Sequence, residues 1–338
     1  MNLNNKKSYI INIVAVTLLY IVLQVLMQNN IINRYYQGII VFICINVIVA
    51  SSLNLTLGFL GQLALGHAGF MAVGAYSSAL LSIGMRGMEL PVIMHLGVAL
   101  LFGGIMSGVI GYLIGLPALR LRGDYLAIIT LGFGEIIRVV INNIRFTGGA
   151  QGLTGIPRLA NFTNAYWITV AVLAILFALI KSRHGRAIMS IREDEIAAEA
   201  VGIKTTQYKA IGFTISAFFA GIGGGLFAHY MAYLDPAIFN FMKSVEIVVI
   251  VVLGGMGSLT GTILAAGVLT SLPEVLRGFS EYRLLIYSFV LVVMMIFRPQ
   301  GIFGTAEFSM DSLMHSPKAF LKEVKKEAGG DDDKGGNV

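Results

Sequence analysis

Charge is scarce in this chain of 338 residues. Asp, Glu, Lys and Arg together make up 12%, about half of what a soluble domain carries. Cysteine is nearly absent too. The single one, Cys44, lies inside an apolar run, which excludes a disulfide framework and a paired-thiolate metal site. Also missing are a Gly-x-x-x-x-Gly-Lys-Ser/Thr loop to cradle nucleotide phosphates, a His-Glu-x-x-His helix and a Gly-x-Ser-x-Gly elbow. The chain therefore binds no ATP by a known motif, does not read as an intramembrane hydrolase, and calls for no cofactor. It is not expected to be an enzyme.

What the sequence has instead is apolar surface. Ala, Val, Ile, Leu, Met, Phe, Trp, Tyr and Cys account for 56% of residues, and the mean hydropathy is +0.80. Folding on itself cannot hide that much apolar surface from water. The length accommodates about eight to ten membrane spans of roughly 20 residues each. The 40 glycines suit helices that pack closely or break. A formal charge of +6 would suggest nucleic acid for a soluble protein, but here the basic residues sit between apolar runs, where they set orientation.

Ten apolar runs are candidate spans, at about 8–27, 37–56, 66–83, 92–115, 125–141, 166–181, 210–232, 244–256, 258–275 and 283–297. The first, after Lys6 and Lys7, is long enough to be a retained span rather than a signal peptide. With the N-terminus in the cytoplasm, 16 Lys and Arg fall inside and seven outside; without the tail the ratio is still 11 to 7. An even number of spans then places both termini in the cytoplasm. Merging the eighth run with the ninth would leave an odd number of spans and put the cluster from Lys318 to Lys326 outside, against that bias. The expected fold is all-α: a polytopic helical membrane protein of about ten spans, with glycine-broken helices and a parallel internal repeat. Residues 1–304 form the transmembrane domain, with a cytoplasmic loop at 182–208 inside it. Residues 305–338 form a hydrophilic tail whose composition suggests disorder. The outer loop from Asn142 to Ala165, rich in Gly, Asn and Thr, reads as irregular backbone exposed to solvent.

Within the inner loop, Ser190-Ile191-Arg192-Glu193 has the capping-box form and Gly202 supplies a stop, which predicts one helix of about eleven residues between them. Glu193, Asp194 and Glu195 fall in its first turn, where the helix dipole favours negative charge. Ile196, Ala197, Ala200 and Val201 form a narrow apolar stripe. Such a helix fits insertion into a groove on a soluble partner, although a solvated loop helix would have the same composition.

Two further segments share the spacing Leu-Gly-x-x-Gly-x-Leu: Leu57 to Leu63, with Gly58 and Gly61, and Leu253 to Leu259, with Gly254 and Gly257. Both follow an inward run and precede an outward one, the sense a parallel repeat must keep. Interrupted helices at matching positions in two halves point to a transport path, because unwound backbone is tolerated at depth only inside protein or along a cavity. Gly66, Gly255, Gly261, Asn54, Gln62, His67 and Ser258 complete these regions. Close packing through glycine is the competing explanation. Charges within the spans are Glu135 with Arg138, and Glu246 three residues after Lys243. Each pair can neutralise itself on one helix face, so a structural ion pair stands beside a substrate contact. His95 and His229 are expected to be satisfied core residues.

At these residues the chain resembles the branched-chain amino acid ABC permease family, in its LivM-type branch. The matching stretches are NLTLGFLGQLALGHAGFMAVGAY, LPALRLRGDYLAIITLGFGEIIR, GRAIMSIREDEIAAEAVGI, VVLGGMGSLTGTILAAGVLTSLPE and FRPQGIFG, together covering about 50 to 305. The resemblance implies that the inner helix is a coupling helix docking on an ATPase. Ala197, Ala198 and Gly202 match its Glu-Ala-Ala-x-x-x-Gly pattern, with Ile196 in place of the Glu. It also implies a bacterial inner-membrane complex with a homologous second permease, two ABC ATPase subunits and an extracellular solute-binding protein, the last holding most of the discrimination among amino acids. A urea or short-amide permease would look similar, and an ion-coupled secondary transporter would share the repeats and broken helices but has no need of a coupling helix.

Overall fold

The computed structural model describes residues 3–87, 91–119, 121, 123–276, 288, 289 and 292. Apart from residues 288, 289 and 292, the tenth apolar run lies outside the described residues, as do the FRPQGIFG stretch and the tail. Eleven α-helices follow one another among those described: α1 Leu3–Gln28, α2 Arg34–Asn54, α3 His67–Gly84, α4 Val92–Ala118, α5 Asp124–Asn143, α6 Phe162–Lys181, α7 Arg183–Glu193, α8 Glu195–Ala200, α9 Thr205–Met231, α10 Phe241–Gly254 and α11 Leu259–Val275. Nine of the ten apolar runs thus fall on helices. Among the described residues, five helices are long and apolar enough to cross a membrane: Arg34–Phe59, His67–Gly87, Val92–Ala118, Phe162–Lys181 and Thr205–Met231. α10, with 14 residues, and α11, with 17, fall short of the roughly 20 that a bilayer core needs. Each ends or starts at a glycine break.

The centre of the bundle is α3, α4 and α9, held together by an absence of side chains. A Cβ added to Gly74 would lie 2.2 Å from Gly221 Cα, and one at Gly224 would lie 2.0 Å from Met71 O. Backbones approach this closely where dispersion, rather than exclusion of water, drives helix association. Ser107 Oγ lies 2.9 Å from Phe70 O and 2.7 Å from Ala217 O, so it joins all three helices. On the opposite face of α4, Ile93, Leu101, Ile105, Val109 and Leu113 are exposed. Large apolar residues pointing outward over a small-residue interior suit a lipid solvent.

Polar caps set the ends of the helices flanking the breaks. Asn33 Oδ1 accepts from Tyr35 N and Tyr36 N at the start of α2, and Asn240 Oδ1 accepts from Lys243 N at the start of α10.

The Asn142–Ala165 loop departs from its expected exposure. It makes short 3₁₀ turns at Arg145–Thr147 and Gly149–Gln151 and an antiparallel bridge from Leu153 to Leu234. Leu153, Ile156 and Leu159 are buried. These apolar residues, interleaved with the glycines, pin the loop to the end of the bundle. His229, at the end of α9, has one ring nitrogen 3.1 Å from Pro157 O and the other 3.1 Å from Ser78 Oγ. His95 pairs with Ser82 Oγ at 2.9 Å. Both histidines are satisfied core residues.

Candidate functional site

The two glycine-broken segments meet. α2 continues into a π turn, Leu55–Phe59, and residues 60–66 then run without regular structure to α3. α10 stops at Gly254, and four residues carry the chain to α11. Asn54, fully buried, joins the breaks. Its Nδ2 donates to Ser258 O at 2.9 Å and to Thr262 Oγ1 at 2.8 Å, and its Oδ1 accepts from Gly257 N at 2.9 Å. Every hydrogen-bonding position of the amide but one lone pair is used, as a buried amide requires.

The first glycine of each pattern has no room for a side chain. A Cβ on Gly58 would lie 1.8 Å from Asn54 Oδ1 and 2.3 Å from Gly257 N, and one on Gly254 would lie 2.7 Å from Gly261 backbone atoms. The second glycine of each pattern is left-handed, with φ +71° at Gly61 and +93° at Gly257. Gly255 is also left-handed, and Gly261 packs on Gly254 O. Ser258 is fully buried and caps α11 by accepting from Gly261 N at 3.1 Å. Gly58, Gly254, Gly255, Gly257, Ser258 and Gly261 therefore form one junction.

The other expected path residues lie apart from it. Gly66 packs on Thr130 O of α5, with Leu65 N donating to Thr130 Oγ1 at 3.0 Å. His67 shares a 2.9 Å hydrogen bond with Ser52 Oγ of α2. Gln62 borders a 370 Å³ cavity at the α7–α8 end, together with Asp124, Arg192, Glu195 and Lys209. Its buried Oε1 has no hydrogen-bond partner among the described residues.

The inner loop corrects the expected single helix. α7 is capped by Ser182, whose Oγ accepts from Gly185 N, and ends at Glu193. Asp194 is extended, at φ −155°, and caps α8 by accepting from Ile196 N and Ala197 N at 2.9 and 3.0 Å. A carboxylate that satisfies two free N–H groups at a dipole's positive end outcompetes the capping box. Ser190 instead donates to Ala187 O. Gly202 does stop α8: at φ +87° its N–H donates to Glu199 O, while Ile203 N donates to Ala198 O, the paired bonds of a Schellman end. α8 is fastened to α9 by Glu195 to Lys209 Nζ at 2.7 Å and by Thr205 Oγ1 to Glu199 at 2.6 Å. Ala198 is on its buried side, whereas Ile196 and Val201 are 75% and 78% exposed. The apolar stripe faces outward, uncovered by any of the described residues.

Arg192, which the capping-box pattern would place in a helix's first turn, joins the two regions. Its Nη1 donates to Gly58 O at 2.8 Å. A Cβ on Gly61 would lie 3.1 Å from its Cγ, and one on Gly257 would lie 2.9 Å from its Nη1. One side chain from the α7–α8 elbow thus lies across the second glycine of both breaks. Nothing in the sequence set Arg192 apart from Arg183 and Arg186 of the same loop, and nothing in the spacing showed what it reaches. The charges within the spans pair as expected: Glu135 with Arg138 at 2.7 Å, and Lys243 with Glu246 at 3.0 Å.

Residues 35–298 match the family described as the branched-chain amino acid transport system, permease component. The chain is 39% identical over 293 residues to the high-affinity branched-chain amino acid transport system permease protein LivM of Salmonella typhimurium, covering 76% of this chain and 67% of that protein. It is 24% identical to the permease protein LivH of the same organism, covering 77% and 91%. With the guanosine ABC transporter permease protein NupQ of Bacillus subtilis the identity is 28%, over 51% of this chain and 60% of the other. No solved structure matches the chain.

Proposed function

Because the chain belongs to the branched-chain amino acid transport permease family, we propose that it is one of two homologous membrane subunits of an ATP-driven importer for branched-chain amino acids. Similarity to both a LivM and a LivH permease of one organism supports a second, related subunit beside it. The other partners are two ABC ATPases in the cytoplasm and an extracellular solute-binding protein. The chain spans the bacterial inner membrane ten times with both termini inside, in keeping with the bias of Lys and Arg. A reporter fused after Phe297 should then be active only in its cytoplasmic form; activity requiring export overturns the count.

The observation that carries the reading is the position of Arg192. An importer driven by a soluble ATPase needs a surface on which the ATPase pushes, a gate in the membrane, and a rigid link between them, because ATP can bias the permease only through contacts that differ between its states. Exposed Ile196 and Val201 supply an apolar surface, the Asn54 junction is the gate, and Arg192 is the link. The α8 stripe docks on the ATPase and moves the α7–α8 elbow. Arg192 then pulls on Gly58 O, and the two breaks separate along α2 and α11. The direct test is reconstitution of the permease pair with its ATPases and binding protein in proteoliposomes. Leucine, isoleucine or valine uptake that requires ATP inside supports the proposal. Uptake of urea, short amides or nucleosides in their place would change the substrate. Uptake driven by an ion gradient without the ATPases would refute the mechanism.

A further inference from the structure

Beyond the Asn54 junction, at the end away from α7 and α8, helices α2, α3, α9, α10 and α11 border a cavity of 760 Å³, within the usual size of small-molecule sites. Phe42, Met71 and Phe227 give it an apolar side. Across from them stand Lys243 and Glu246 of α10 with Asn46 of α2. Lys243 Nζ lies 3.0 Å from Glu246 Oε2 and 3.5 Å from Asn46 Oδ1, and Asn46 Nδ2 donates to Thr270 Oγ1 of α11 at 2.9 Å. Asn46 with Thr270 repeats, eight residues further along each helix, the Asn54–Thr262 bond at the junction. The cavity and the gate therefore lie on the same α2–α11 seam. Arg34 and Glu274 also border the cavity, so its lining carries two formal charges of each sign.

We propose that this cavity is a permease subsite for the zwitterionic head of an apolar α-amino acid. The carboxylate pairs with Lys243, the ammonium pairs with Glu246, and the aliphatic side chain lies on Phe42, Met71 and Phe227. This rests on the importer reading above and gives the membrane path a selectivity of its own. Two opposite charges side by side are neutral when the site is empty, so the cavity needs no counter-ion between transport events. A zwitterion laid head to tail against them turns one ion pair into two and leaves no net charge in the membrane. A singly charged ligand leaves one charge uncompensated, which is costly in a low dielectric, and an uncharged amide gains neither pair. The side chain of Lys243 is 18% exposed and that of Glu246 42%, so the carboxylate is open to an incoming ammonium.

The test uses the purified complex without its binding protein, so that occupancy of the permease alone is read. Millimolar leucine should raise the thermal midpoint, while isovalerate and isoamylamine, each carrying one of its two charges, should not. Replacing the pair together, Lys243→Gln with Glu246→Gln, should abolish the shift. It should also slow leucine uptake about tenfold at saturating loaded binding protein, while ATP hydrolysis continues, the loss expected for a half-exposed charge pair. Equal shifts from all three ligands, or an unchanged shift in the double variant, overturn the subsite. The ligand comparison on the wild-type complex decides even if the double variant fails to assemble. A wild-type complex that transports leucine but shows no shift refutes the subsite alone, whereas one that transports no leucine refutes the reading beneath it.

Discussion

The two glycine-broken segments follow one residue pattern and adopt two backbones. The first unwinds gradually, through a π turn and residues 60–66, before α3 begins. The second turns within residues 255–258, using left-handed glycines at 255 and 257. Yet the pattern positions behave alike. Gly58 and Gly254 leave no space for a Cβ, whereas Gly61 and Gly257 provide positive φ and touch Arg192. The difference lies in fastening. The short break is held by three hydrogen bonds to Asn54 and by the Ser258 cap, whereas the long one leaves Gln62 with an unbonded oxygen beside a cavity. One break is thus built as a fixed edge and the other as the part that gives.

Substituting the first glycine should have the largest effect. Gly58→Ala drives a methyl into Asn54 Oδ1 and Gly257 N. The first is an amide pinned by three hydrogen bonds and the second is backbone, so the cost is about 3 kcal/mol or more. The expected outcome is a sharp drop in thermal midpoint and in folded yield in detergent. Gly61→Ala faces left-handed strain of roughly 1–2 kcal/mol and only the bendable Arg192 stem, so it should fold. Equal losses at both positions would show that the breaks are fastened alike.

Asn54→Ala comes next. It leaves Gly257 N–H without its acceptor in a buried interior, at about 1–3 kcal/mol, removes the two bonds that Asn54 donates to Ser258 O and Thr262 Oγ1, and should abolish uptake while the complex still assembles. Uptake at the wild-type rate would show that the junction does not gate.

Arg192→Ala should barely change stability, since the side chain is one-third exposed, but it cuts the link to both breaks. The expected result is ATP hydrolysis retained with transport lost, read as moles of leucine per mole of ATP. An unchanged ratio removes Arg192 from the mechanism. Ile196→Asp with Val201→Asp should separate the ATPase from the membrane pair on size exclusion without altering the permease fold, because both side chains already face outward. Ala198, which matches the coupling-helix pattern, is on the buried side of α8, and a large residue there would report on folding instead of docking.

The helical architecture was legible because apolar runs of span length have one outcome in lipid: nine of the ten fall on helices, and the glycine pattern marked both breaks. The interruption at Asp194 was not, since Ser190 and Asp194 are both good caps and the choice between them depends on where α7 begins. Nor was the anchoring of Leu153, Ile156 and Leu159, which needed knowledge that Leu234 would lie opposite. Arg192 was hidden for a similar reason. Its partner carbonyl is 134 residues away in sequence, and side-chain type alone does not encode a partner at that distance.

The smallest effect sharpens the comparison most. Single cysteines at Gln62 and Ser258, in a background with Cys44 replaced, sit at corresponding parts of the two breaks but in unlike surroundings. Gln62 borders the cavity at the α7–α8 end, so a small polar thiol reagent should label Gln62→Cys in the resting complex. Ser258 is fully buried and its main chain is tied to Asn54, so Ser258→Cys should label only when the junction opens. Serine to cysteine keeps a small side chain but weakens the cap, at about 1 kcal/mol, which leaves the protein folded. If ATP trapped on the partner opens the seam, labelling at 258 should rise while labelling at 62 changes little. Equal reactivity at rest would mean that the junction is already wet. No reactivity at 258 in any nucleotide state would mean that the two breaks only pack against each other, and the gate would then have to lie elsewhere along α2 and α11.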